Sequence, residues 1–127
     1  MTIKKIMVVD DSPTERAFMD GLLKKKGYDV VLVDSGEAAI ERAKKDQPDL
    51  IFCDIMMPRL DGYQTCALIK KSSKHRDTPV IMLSSKDSLF DRARGRMVGS
   101  DEYLTKPFTK ESLLKAVEAH LAQRSPA

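Results

Sequence analysis

Five times along the chain a short, nearly continuous apolar run is followed by a longer amphipathic stretch, and this alternation restricts the fold more than any other feature. The runs are Ile6–Val9, Val30–Val33, Leu50–Cys53, Val80–Leu83 and a weaker one at Tyr103–Leu104. Their β-branched content marks them as strands. Because each is nearly unbroken instead of alternating apolar with polar, the pattern predicts strands covered on both faces. Strand and helix in strict alternation give a parallel sheet. The expected fold is therefore an α/β doubly wound (βα)5 three-layer sandwich.

Local signals bound the helices. Ser12, Pro13 and Glu15 supply a cap, a proline at the first helical position and a residue placed to complete a capping box, so a first helix runs from here toward Gly27. Three lysines just before that glycine suit the negative end of the helix dipole. Similar logic places helices from about Ser35 to Asp46, Asp61 to about Ser72, Ser88 toward Gly99, and Thr109 to Ala122. Gly95 is a misfit in the fourth of these, costing about 1 kcal/mol relative to Ala.

With 127 residues, the chain is expected to form one domain over 1–127, with 123–127 a short flexible tail and no output domain. Its 42% hydrophobic and 32% charged residues are the proportions of a chain with a packed core. A net charge of +3 gives no reason to expect nucleic acid or a membrane surface as a partner. No signal-peptide pattern and no apolar run of membrane-spanning length occurs, so a cytoplasmic location is expected. Cys53 and Cys66 lack any paired metal or disulfide spacing and read as reduced packing residues.

The polar residues that end each run carry the chemistry. Asp10 and Asp11 follow the first run, Asp54 the third, Ser84 the fourth, and Thr105, Lys106 and Pro107 the fifth. In an open parallel sheet such positions converge on a crevice outside the carboxyl ends of the strands. Carboxylates about 4 Å apart repel by ~4 kcal/mol at an effective dielectric near 20. Mg²⁺ (or Mn²⁺), bound through oxygen, would offset that repulsion, and Lys106 adds a second positive charge. A carboxylate so held can attack phosphorus to form an acyl phosphate, with Lys106 and the Ser84 hydroxyl stabilising the transferred group.

The strings VVDDS, FCDIMMPRLDG, PVIMLSS and YLTKPF resemble those of response-regulator receiver domains (CheY-like), over almost the whole chain. Such receivers are themselves a standard illustration of the crevice rule, so the placement above is not independent of the resemblance. The resemblance implies a flavodoxin-like sheet in the order 2-1-3-4-5 and makes Asp54 the phosphoacceptor. It implies Asp10 and Asp11 as the metal-binding acids, joined by the Met56 backbone carbonyl, with Ser84 and Lys106 acting on the phosphoryl group. It further implies a cis peptide bond between Lys106 and Pro107, and a switch in which Ser84 moves toward the phosphoryl group while Tyr103 turns inward. Phosphoryl lifetime would be tuned partly at Met56 and Lys86.

A narrower resemblance, in DIMMPRLDGYQTCALIK, TPVIMLSSKD and GSDEYLTKPF, is to the PilG/PilH-type receivers of the chemosensory system that controls type IV pilus twitching motility. Its implied partners are a histidine kinase (CheA-like) as phosphodonor and a downstream motor or effector protein. The chain would be a monomer, with dimerisation on phosphorylation left open. No turnover of an external substrate is expected. Other readings are a receiver in a different chemotaxis pathway or phosphorelay, and a phosphatase of the haloacid dehalogenase type. The last wants a second Asp two residues after the nucleophile, where this chain has Met56. Nucleotide-binding glycine motifs are lacking after the first run. Arg92, Arg94 and Arg96 read as a solvated surface, with only Arg92 and Arg96 sharing a helix face. Receivers dock partners on the side formed by the fourth helix, fifth strand and fifth helix.

Overall fold

The computed structural model describes residues 4–72, 74–85 and 89–122. Ser88, Lys86 and the expected tail 123–127 lie outside these residues. Strands β1 (Lys5–Val9), β2 (Asp29–Val33), β3 (Leu50–Asp54), β4 (Val80–Ser84) and β5 (Glu102–Thr105) alternate with helices α1 (Pro13–Lys25), α2 (Gly36–Asp46), α3 (Gly62–Lys71), α4 (Leu89–Met97) and α5 (Lys110–Ala122). All strand pairs are parallel, and the sheet order is β2-β1-β3-β4-β5. This is the expected doubly wound fold.

The period of two along each strand divides the core into two layers. Met7, Val9, Ile51, Cys53, Val80 and Met82 face the side covered by α2 and α3. Their neighbours Ile6, Val8, Leu50, Phe52, Ile81 and Leu83 face the other side, where Met19 and Leu23 of α1 and Leu113 and Val117 of α5 close over them. Strands β3 and β4 are buried at every position, as continuous apolar runs require. β2 departs from the expectation. Asp29 and Leu32 are exposed, because β2 is an edge strand that α1 and α2 do not fully cover.

Local chemistry sets the helix starts. The Ser35 hydroxyl accepts from Ala38 N at 3.1 Å, and Asp61 with Gln64 forms a reciprocal capping box at the head of α3. Only half of the box predicted for α1 exists. Ser12 Oγ accepts from Glu15 N at 3.3 Å, but Ser12 N donates to Asp10 Oδ1 at 2.9 Å and the Glu15 carboxylate turns to Lys106.

Two glycines permit close approaches, and a third a left-handed turn. At Gly62 a β-carbon would overlap the Asp54 carbonyl oxygen and lie 2.7 Å from Ile55 Cα, so α3 is pressed against the residues that follow β3. At buried Gly95 a β-carbon would sit 3.0 Å from Ser100 Oγ and 3.4 Å from the Tyr103 ring, which gives the misfit of the fourth helix a packing reason. Gly99, with φ +94°, takes the left-handed conformation just beyond α4. Both cysteines are free and buried.

Candidate functional site

The ladder extends one residue further than the apolar runs, and this places the polar groups firmly. Asp54 pairs in register with Leu83, and Ser84 with Thr105, so both are strand residues with buried side chains. Asp10 leaves β1 with its amide held by Val33 O at 3.1 Å and is fully buried. After β5, Lys106 N donates to Ser84 O at 2.6 Å, and the Lys106–Pro107 peptide bond is cis. These constraints send the Lys106 side chain across the carboxyl edge of the sheet. Its ammonium donates to Asp54 Oδ1 at 3.1 Å and to Glu15 Oε2 at 2.6 Å.

Carboxylate oxygens of Asp10, Glu15 and Asp54 all lie within 4.8 Å of one another. Asp11 is not in this set and is exposed. Its neighbour Asp10 turns inward, while Asp11 stands at the mouth, still near enough for its charge to act on Asp54. Glu15 is the member that sequence reasoning missed. Its first-turn position on α1 has a local explanation in capping, and the lysine it pairs with is 91 residues away, so no local signal could have assigned it.

The electrostatics follow from this crowding. Burial, the hydrogen bond to Glu15 and the charges of Asp54 and Glu15 push the Asp10 carboxyl up to about 7, against the opposing hydrogen bond from Ser12 N. Burial also raises Asp54, although Lys106 offsets part of the effect. Glu15 is held below the usual carboxylate range by the hydrogen bond from Asp10 and by Lys106, with burial acting the other way. Burial works against the Lys106 ammonium, but Glu15 and Asp54 outweigh it and hold the group above the ordinary lysine range.

When Asp10 is ionised, its buried Oδ2 has no hydrogen-bond donor among the described residues. An orphaned, fully buried carboxylate oxygen facing two further carboxylates is a donor set of hard oxygens, which suits Mg²⁺ or Mn²⁺. The residues present therefore fit a divalent cation. Met56 beside them is 60% exposed.

A cavity of about 380 Å³ opens between Met56, Met57, Pro58, Tyr63, Ser84 and Arg94. Around it the arginines of α4 do more than face solvent, which corrects the sequence reading. Arg94 lies 4.4 Å over the Tyr63 ring. Arg92 lies 5.2 Å over the Tyr103 ring and donates to Tyr103 O and Thr105 Oγ1. Residues two apart do diverge on a helix, and here each finds a different tyrosine. Only Arg96 of the three remains exposed without a ring contact of this kind among the described residues. Tyr103 is buried.

Comparison with known proteins shows the family and the fold. The response regulator receiver domain model matches residues 6–118. Over 122 residues the chain is 59% identical to the protein PilG of Pseudomonas aeruginosa, covering 96% of this chain and 90% of that protein. A Vibrio cholerae chemotaxis protein superposes with a TM-score of 0.90 at 31% identity, covering 93% of this chain and 98% of that one. The receiver domain of a Pseudomonas aeruginosa sensor histidine kinase superposes with a TM-score of 0.88 at 29% identity, covering 95% and 99%. That structure has a magnesium ion coordinated in its active-site cleft.

Proposed function

Because the chain belongs to the response regulator receiver family, with PilG among its relatives, we propose that it accepts a phosphoryl group on Asp54 from a histidine kinase and signals by binding another protein. The observation that carries the reading is the meeting of buried Asp54, fully buried Asp10 and Lys106 at one edge of the sheet.

In this reading a free Asp54 carboxylate oxygen attacks phosphorus. The O–P bond forms as the N–P bond of a phosphohistidine breaks, and the aspartyl phosphate remains on the protein. A bound Mg²⁺ supplies charge neutralisation for the transferred oxygens. Asp10 and Asp54 would hold it, with Asp11 and the Met56 carbonyl offering further oxygens. Lys106 is already within hydrogen-bond reach of Asp54, and a donor of this kind, placed before charge develops, needs no reorganisation. Ser84 at the end of β4 offers its hydroxyl to the phosphoryl group. Tyr103, packed under Arg92 and paired in register with Met82, two residues before Ser84, is the residue whose packing registers the change.

The partner side is proposed on the PilG likeness. A CheA-like kinase would be the donor, the target a motor or effector protein, and the pathway the control of type IV pilus twitching motility. The chain would act as a monomer in the cytoplasm. Among the described residues no helix is long and apolar enough to cross a membrane.

Incubation with a small acyl phosphate donor and Mg²⁺ is expected to add one phosphoryl group to the wild type, read by intact-protein mass spectrometry, and Asp54→Asn is expected to abolish the adduct. Equal labelling of the two proteins would exclude Asp54 as the acceptor.

A further inference from the structure

Glu15 lies outside the motifs that carry the family resemblance, yet it makes the shorter of the two ion pairs to Lys106, 2.6 Å against 3.1 Å for Asp54. The two acids pull on the ammonium from different elements, Glu15 from the first turn of α1 and Asp54 from the end of β3. An ammonium has three donors, so the lysine can serve both and retain one for a third group. The buried Asp10 Oδ2, which has no donor among the described residues when ionised, faces the same space.

We propose that Glu15 is a positioning residue of the phosphorylation site, drawing the Lys106 ammonium partly off Asp54 so that the Asp54 carboxylate stays open to the cation and to the incoming phosphoryl group. This rests on the reading of Asp54 as acceptor. With all groups ionised, the carboxylates of Asp10, Glu15 and Asp54 and the Lys106 ammonium leave two net negative charges, which match a divalent cation. Removing the Glu15 charge leaves Lys106 with Asp54 alone. The lysine then closes on the oxygen that the cation needs, and competition between the two positive charges rises.

The test is calorimetric titration of Mg²⁺ into the full chain as wild type, Glu15→Gln, Lys106→Met and the double variant. Such a cycle isolates the part of the effect that passes through the lysine. Glu15→Gln is expected to weaken Mg²⁺ binding by about three- to tenfold, the net size of an ordinary hydrogen bond, because Lys106 keeps Asp54 as a second partner. In the Lys106→Met background the same change is expected to weaken it by less than about twofold. Unchanged affinity in Glu15→Gln overturns the proposal, and so does an equal loss in both backgrounds, which would mean that Glu15 acts on the cation without the lysine. Glu15→Met, similar in length and uncharged, provides the same comparison should Glu15→Gln not fold. Phosphoryl labelling of Asp54→Asn separates the two ideas. If it is labelled as fully as the wild type, the acceptor reading fails, whereas loss of labelling in Asp54→Asn with unchanged Mg²⁺ affinity in Glu15→Gln removes only the role of Glu15.

Discussion

Gly62→Ala is expected to destabilise the fold by about 3 kcal/mol, the upper end of the usual cost of overpacking, and to slow phosphorylation in whatever fraction stays folded. The added methyl would meet backbone, namely the Asp54 carbonyl oxygen and Ile55 Cα at 2.7 Å. Neither can swing aside like the end of a flexible side chain. Ile55 N is held by Leu83 O at 3.1 Å, and Ile55 O accepts from Gly62 N at 2.9 Å, so relief requires moving α3 or the end of β3. The gain in helix propensity, about 1 kcal/mol in the favourable direction, is too small to compensate. Any movement of β3 carries Asp54 away from Lys106. Urea unfolding with an unchanged slope and a lowered midpoint is the expected record, and a midpoint equal to that of the wild type would show that the contact is soft.

Asp10→Asn is expected to stabilise the cation-free protein at pH 8 by on the order of 2 kcal/mol while abolishing tight Mg²⁺ binding. The Asp10 carboxyl titrates at about 7 in the fold, far above an unfolded aspartate. The folded state therefore binds this proton more tightly than the unfolded chain does. The associated stability is fully present below about pH 4 and is lost as pH rises through about 7. Asp54 is raised in the same sense and adds to the loss, whereas Glu15 is lowered and opposes it. An asparagine at position 10 resembles the protonated acid at every pH. It keeps an oxygen for Ser12 N and gains an amide donor toward Glu15. In chelator, the wild-type midpoint should fall from pH 5 to pH 8 and that of Asp10→Asn should fall less. Excess Mg²⁺, which binds the deprotonated set, should reduce the wild-type fall and leave the variant unaffected. A wild-type midpoint that climbs across this range without metal would falsify the picture of crowded carboxylates.

The strands and their order of burial were readable because apolar runs report directly on coverage. The runs at Leu50–Cys53 and Val80–Leu83 became fully buried central strands. The run at Val30–Val33 looks equally apolar, but whether a strand lies at an edge depends on its neighbours, and the exposure of Leu32 has no signal in the run itself. Helix starts were likewise local. Ser35 and Asp61 cap as their sequences predict, since a cap involves residues two or three positions apart.

Within the site, the sequence by itself determined which residues stand at the carboxyl edge of the sheet. Asp10, Asp54, Ser84 and Lys106 each follow an apolar run, and parallel strands must end on the same side. Only the tertiary structure decided which of those side chains touch. It buried Asp10 and exposed Asp11, turned Glu15 from a cap into a partner of Lys106, and set Arg92 and Arg94 on two different tyrosines. The physical reason is range. Strand and helix periodicity fix the direction of a residue relative to its own backbone, whereas a charge finds its partner by distance in space, and the Glu15–Lys106 pair is made only once α1 and the end of β5 have docked on the same sheet.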